Sequence, residues 1–172
     1  VRTPSEFAAI AGSDPAAGFA QLDLAFVAGD KQLVDSTRAQ VYATWRRLLQ
    51  RNFDAFVDTA IARWRRSGTL ATMTHSDIKN GRGGLRDIQF LRALALGNLA
   101  DAPALDAERT LLLDVRTLLH TTTRRPRDVL DPEFAADIAR ELGFADRYEL
   151  SSAVVAAATT VDRALERALA TA

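Results

Sequence analysis

Between Lys31 and Ser67 no glycine or proline interrupts the chain, and apolar side chains return at steps of three, four and seven. Leu33, Val34, Val41, Trp45, Leu48, Leu49, Phe53, Phe56, Val57, Ile61 and Trp64 make the stripe, with Thr37 in register. That is the period of an α-helix. Asp30 stands where an N-cap belongs and Gly68 where a C′ glycine belongs, so the pattern predicts one helix over about 31–67. Asn52 is its weak point. Arg63, Arg65 and Arg66 in the last turn suit the negative end of the helix dipole.

Upstream, Thr3-Pro4-Ser5-Glu6 has the form of a capping box with Pro at the first helical position. Phe7, Ala8, Ile10 and Ala11 then predict a short helix that stops at Gly12. Asp14-Pro15 opens a second segment, with Phe19, Leu22, Phe26 and Val27 apolar and Gly29 as its stop. Downstream, residues 69–80 read as a connection. A helix is expected from Leu85, its stripe Leu85, Ile88, Leu91, Ala95 and Leu99 broken at Asp101-Ala102-Pro103. Another spans about Leu105 to Thr122, with Leu111, Leu112, Val115, Leu118 and Leu119 inward, and ends at Arg124-Arg125-Pro126-Arg127. A shorter helix runs from Pro132 to Gly143. The last starts at Asp146 or Ser151 and carries Leu150, Val154, Ala158, Val161, Leu165 and Leu169. No segment alternates over five residues, so no sheet is expected. The class is all-α: a helical bundle with one long helix and antiparallel neighbours. A soft boundary near 69–80 divides a helical arm, 1–68, from a bundle, 69–172.

Composition adds exclusions. Lys+Arg and Asp+Glu balance at 22 each, which argues against a broad nucleic-acid-binding surface. Without cysteine, disulfides and thiolate metal sites are ruled out. No apolar run approaches the length of a membrane span. The N-terminus lacks both a signal-peptide layout and an initiator Met, so a piece of a longer cytoplasmic protein is expected.

Chemistry concentrates in Asp77–Asp87, DIKNGRGGLRD. Lys79, Arg82 and Arg86 surround Gly81, Gly83 and Gly84. Glycines admit positive φ and close approach, and successive N–H groups can form an anion-binding nest. The following helix N-terminus adds free donors. The functional reading is a phosphate cradle of Lys79, Arg82, Gly83, Gly84 and Arg86, with Asp87 holding Arg86 or a sugar hydroxyl and Asp77 orienting Lys79 or reaching a metal through water. The alternative is a solvated turn before a helix. The Gly-Lys-Ser/Thr ending of a Walker A loop is missing. Arg116 and His120 lie four apart on one helix face, with Arg125 and Asp128 just beyond. They form either a polar site facing the turn, with Arg116 or Arg125 on phosphate, or a helix-end network in which Arg125 pairs with Asp128. His75 is expected to be solvated, no metal ligand set is expected, and Trp45 and Trp64 are expected in the core. Arg46, Arg47, Arg51, Arg63, Arg65 and Arg66 read as a solvated face, with a protein-docking surface as the other option.

DIKNGRGGLRDIQFL resembles the segment that follows the catalytic domain in PII uridylyltransferases, the nitrogen-sensing nucleotidyltransferases. A related form occurs in the adenylyltransferases that modify glutamine synthetase. Val1-Arg2-Thr3, Leu22-Asp23, Val27-Ala28-Gly29-Asp30, Leu113-Asp114-Val115-Arg116 with Leu119-His120, the set Arg125, Asp128 and Leu130, and Ile138–Phe144 all match family stretches in order. The resemblance thus covers nearly the whole chain, and it is nearest the actinobacterial type. Leu113–Arg116, Leu119-His120 and Gln89 favour the PII-modifying branch over the glutamine synthetase one. The resemblance implies transfer of UMP or AMP from UTP or ATP to a tyrosine of the PII protein, with Mg2+ in the parent enzyme. It also implies that the catalytic carboxylates lie in a nucleotidyltransferase core upstream, and that phosphohydrolase and sensing domains lie downstream. No catalytic residue is then expected in this chain, which would be inert alone and would position substrate or nucleotide. A non-catalytic protein-binding module is the competing expectation.

Overall fold

A computed structural model describes residues 15–171 together with residues 3, 5, 6, 9 and 10. The described residues form six helices: α1 (Pro15–Ala20), α2 (Lys31–Ser67), α3 (Leu85–Leu96), α4 (Asp106–Thr123), α5 (Pro132–Glu141) and α6 (Arg147–Thr171). A 3₁₀ turn, Gln21–Asp23, follows α1. The predominantly helical class is as the periodicity predicts.

The capping box is present in part. Glu6 accepts from the Thr3 N–H at 2.6 Å, and the Glu6 N–H reaches Thr3 Oγ1 at 3.4 Å. Val1, Arg2, Pro4, Phe7, Ala8, Ala11, Gly12 and Asp14, on which other N-terminal expectations fall, lie outside the described residues. The segment opened by Asp14-Pro15 is shorter as a helix than its apolar spacing predicts. Helical backbone stops at Ala20, Leu24 turns extended, and Phe26 and Val27 are left 41% and 90% exposed. They have the right spacing but no packed surface to cover.

α2 runs as the pattern predicts. Asp30 accepts from the N–H groups of Gln32 and Leu33, and the Gly68 N–H closes the far end on the Trp64 carbonyl. Asn52 leaves helical geometry at φ −124°, ψ 25°, and its amide hydrogen-bonds back to the Leu48 carbonyl. This is the side chain–backbone competition that makes Asn a poor interior residue. Val41, Trp45, Leu49, Phe56 and Ala60 are its buried side chains, and Trp45 and Phe56 meet α3. Trp45 Nε1 donates to the Ala93 carbonyl at 2.8 Å, and the rings of Phe56 and Phe90 stack 4.6 Å apart.

α3 is covered on more sides than its predicted stripe. Phe90, Ala93, Leu94 and Asp87 are buried as well as Leu85, Ile88 and Leu91. A helix flanked on several sides loses a one-sided pattern. α6 packs on α3, α4 and α5 through Leu150, Val154, Ala158, Val161 and Leu165. Asp146 caps it, accepting from the N–H groups of Tyr148 and Glu149 at 2.8 Å each.

The expectation of no sheet needs correction. Ser76–Asp77 (β1) pairs antiparallel with Val129–Leu130 (β2), Ser76 opposite Leu130. Two residues per strand are too few for alternation to register in a sequence. The ladder pins the connection after α2 to the segment after α4.

Candidate functional site

The turn Asp77–Asp87 is the point where three long helices meet. Its backbone N–H groups from Ile78 onward all end on acceptors of the protein. Asp77 Oδ1 accepts from the N–H groups of Lys79 and Asn80 at 3.1 and 2.7 Å, an Asx-type turn. The N–H groups of Gly81, Gly84, Asp87 and Ile88 bond to carbonyls within the turn. Those of Leu85 and Arg86 bond to the carbonyls of Ile78 and Lys79, and that of Arg82 to Gly68. Ile78 N–H bonds to the Asp128 carbonyl, and Gly83 N–H points at Asp87 Oδ2, 2.7 Å away.

Asp87 is therefore the anion that the turn encloses, met by one backbone donor, Gly83 N–H, and by side chains of α2. Its carboxylate is fully buried. Oδ1 takes a 2.6 Å bond from Arg63 Nη2 and a 3.0 Å bond from Trp64 Nε1. Sitting in the first turn of α3, it also meets the positive end of that helix's dipole. Its ion-pair partner is Arg63 rather than Arg86.

The glycines serve the same closure. Gly83 has φ +87°, and a Cβ there would fall 2.6 Å from the Ala158 carbonyl oxygen of α6. A Cβ on Gly84 would fall 2.8 Å from the Ile78 carbonyl oxygen. Helix α6 and the turn itself fill the space that positive φ and small size provide.

Two of the three cations are paired within the protein. Arg82 Nε donates to Asp162 at 2.5 Å and its Nη2 to Glu166 at 3.1 Å, both on α6, while the guanidinium stacks 5.2 Å from the Trp64 ring centre. Lys79 Nζ lies 3.2 Å from Asp128 Oδ2. Arg86 is exposed and makes no ion pair with any described residue. Its neighbours in a small recess include Arg63, Phe56 and Phe90.

The second cluster joins the first through Asp128. Arg116 Nε donates to Asp128 Oδ1 at 2.7 Å, and His120 Nε2 lies 3.2 Å from the same oxygen. The Asp128 carbonyl also accepts from Ile78 N–H at 2.9 Å. Partial burial pushes the Asp128 carboxyl up. Hydrogen bonds from Arg116, His120 and Lys79 outweigh that and hold it below the usual carboxylate range. Arg125 is exposed, and Arg116, one helix face away, takes the place beside Asp128 that the sequence offered to Arg125. His75 is exposed but not free, with Nδ1 2.6 Å from Asp131 Oδ1; Asp131 also pairs with Arg127.

The sequence reading missed Arg63, Asp162 and Glu166. In the sequence Arg63 falls on a solvated face and Trp64 on the core stripe. A weak signal existed: both stand one turn from the end of a helix whose Gly68 turns the chain back toward the glycines. Among the described residues, no three His, Asp or Glu side chains gather where a metal ion could sit.

Across all 172 residues the chain is 57% identical to a bifunctional uridylyltransferase/uridylyl-removing enzyme of Corynebacterium glutamicum. The family model for GlnD PII-uridylyltransferase matches residues 51–96, from the middle of α2 to the end of α3. The chain belongs to this uridylyltransferase family. Similar proteins of the same description occur in Mycobacterium tuberculosis, 41% identical over the whole chain, and Streptomyces coelicolor, 39% identical over 95% of it. The chain spans about a quarter of the Corynebacterium relative's length, 25%, and 22% and 20% of the other two. No solved structure matches it. The stretch matched by the uridylyltransferase family model contains Arg63, Trp64, the glycine turn and Asp87. No helix among the described residues is long and apolar enough to cross a membrane.

Proposed function

We propose that this segment serves a cytoplasmic PII nucleotidyltransferase as its helical positioning region. The parent enzyme would transfer UMP or AMP from UTP or ATP to the PII protein. The catalytic carboxylates and the magnesium they hold would lie in a separate nucleotidyltransferase core of the same polypeptide. The observation that carries the reading is the match along every residue to a quarter-length stretch of bifunctional uridylyltransferase/uridylyl-removing enzymes.

Within that reading, the turn geometry favours support over direct phosphate capture. A turn whose backbone N–H groups are already bonded, with Lys79 and Arg82 already paired, has little left to offer a phosphate. Its value to an active site is rigidity, because preorganised walls cost no reorganisation at the moment of reaction. Arg86 is the group of this turn that remains available to an anionic substrate.

Two measurements test this. The purified chain, given labelled UTP or ATP, magnesium and PII protein, should transfer no label; transfer would overturn the proposal. In the full-length enzyme, Arg86→Ala should raise the nucleotide KM while leaving stability unchanged. Lys79→Ala and Arg82→Ala should do the reverse. Equal kinetic losses from all three would instead support the phosphate cradle.

A further inference from the structure

A second site lies on the outer side of α3, away from the glycine turn. It is a cleft of about 500 Å³ between α1 with its 3₁₀ turn, α2, α3 and the start of α4. That volume is within the usual range for small-ligand sites, about 300–1,000 Å³. Phe19, Leu22, Leu96 and Pro103 supply apolar wall.

The polar lining carries both signs of charge. Arg92 projects from α3, Asp106 opens α4, and Asp23 ends the 3₁₀ turn. Yet Arg92 forms no ion pair with Asp106, Asp23 or any other described residue. Asp23 has one long contact, 3.5 Å from Gln89 Nε2. Opposite charges in one cleft that do not reach each other are each left for solvent or for a ligand. The 3₁₀ turn that brings Leu22 and Asp23 to the cleft also holds an unmet demand behind its lining. Gln21, in the same turn as Leu22 and Asp23, is 6% exposed, and neither of its amide atoms has a partner. Buried amides of this kind are rare, because each costs about 1–3 kcal/mol.

We infer that this cleft binds a free α-amino acid with an apolar side chain. Arg92 would take the carboxylate in the forked geometry guanidinium favours. Asp106 and Asp23 would take the ammonium, and Phe19, Leu22 and Leu96 the side chain. Two carboxylates in the lining disfavour a polyphosphate, which separates this site from any nucleotide contact near Arg86. The inference does not depend on the proposed function.

The test is calorimetric titration of the 172-residue chain with L-phenylalanine and L-leucine, and with two truncated probes. Hydrocinnamate lacks the ammonium of phenylalanine, and phenethylamine lacks the carboxylate. L-Phenylalanine or L-leucine should bind, and each truncated probe should bind about tenfold or more weakly, as expected for a lost charge-assisted bond. Arg92→Gln should weaken phenylalanine but not phenethylamine, and Asp106→Asn should weaken phenylalanine but not hydrocinnamate. Both side chains are exposed, so circular dichroism of the variants should match the parent. The inference is overturned if neither amino acid binds. It is equally overturned if the four probes bind alike, or if the variants weaken every probe equally.

Discussion

Removing the Asp87 carboxylate tests the central claim about the turn. In Asp87→Ala the Arg63 guanidinium, whose side chain is 14% exposed, loses its ion-pair partner. The Trp64 and Gly83 N–H groups lose their acceptor at the same time. Breaking a buried pair from one side costs about 3–5 kcal/mol, chiefly because the surviving charge stays desolvated. Solvent reaching the exposed edge of Arg63 trims this, so a loss of about 3–4 kcal/mol is expected on that scale. That is a large share of the roughly 5–15 kcal/mol that holds a domain folded. Urea denaturation followed by circular dichroism would measure it. Arg63→Met in the Asp87→Ala background should then cost less than in the parent, with a coupling above about 1 kcal/mol. Sulfate should recover part of the loss in Asp87→Ala and little in the parent, because the freed Arg63, Trp64 and Gly83 donors can take another anion. A loss below about 1 kcal/mol with no sulfate effect would refute the account of Asp87 as the anion that holds Arg63, Trp64 and Gly83 together.

Gly83→Ala adds a methyl 2.6 Å from the Ala158 carbonyl oxygen, at a residue with φ +87°. The left-handed backbone alone costs about 1–2 kcal/mol and the clash adds to it, so destabilisation near 3 kcal/mol should appear in the same denaturation assay. A change under about 1 kcal/mol would show that α6 yields at that point. Asp128→Asn should lower stability at neutral pH. The Asp128 carboxyl is held below the usual range in the folded protein, so its protonation favours unfolding. Its contribution is complete above the ordinary carboxylate pKa of about 4 and disappears as pH falls through the lowered value. The stability gap between parent and variant should thus be flat from pH 7 to about 5 and close in acid. A gap independent of pH would disprove the role of the three donors around Asp128.

Long, one-sided periodicity was the most legible feature of the chain. α2 could be bounded from Asp30 and Gly68, and its interruption located at Asn52, because each of those residues acts locally. α3 was harder, since burial on several sides hides its period. The β1–β2 pair was invisible, being a contact between segments more than 50 residues apart with no alternation to announce it. The turn drew attention through its glycines and cations, features also found in anion sites. Its actual partners, Asp162 and Glu166 on α6, stand about 80 positions away, and no local rule connects them to Arg82. Asp87 was legible as an acid near an arginine. Which arginine it serves depends on how α2 and α3 lie together.

Every backbone N–H from Ile78 to Ile88 ends on a protein acceptor, and the side chains of the turn reach α2, α6 and, through Lys79, Asp128 beyond the end of α4. A segment tied in this way cannot release one amide proton without loosening several helices. In deuterated buffer these amides should therefore exchange together, at the free energy of global unfolding, as part of the slowest cooperative unit of the chain. A glycine-rich loop, by composition the stretch most expected to breathe, would then be among the last parts of this protein to open.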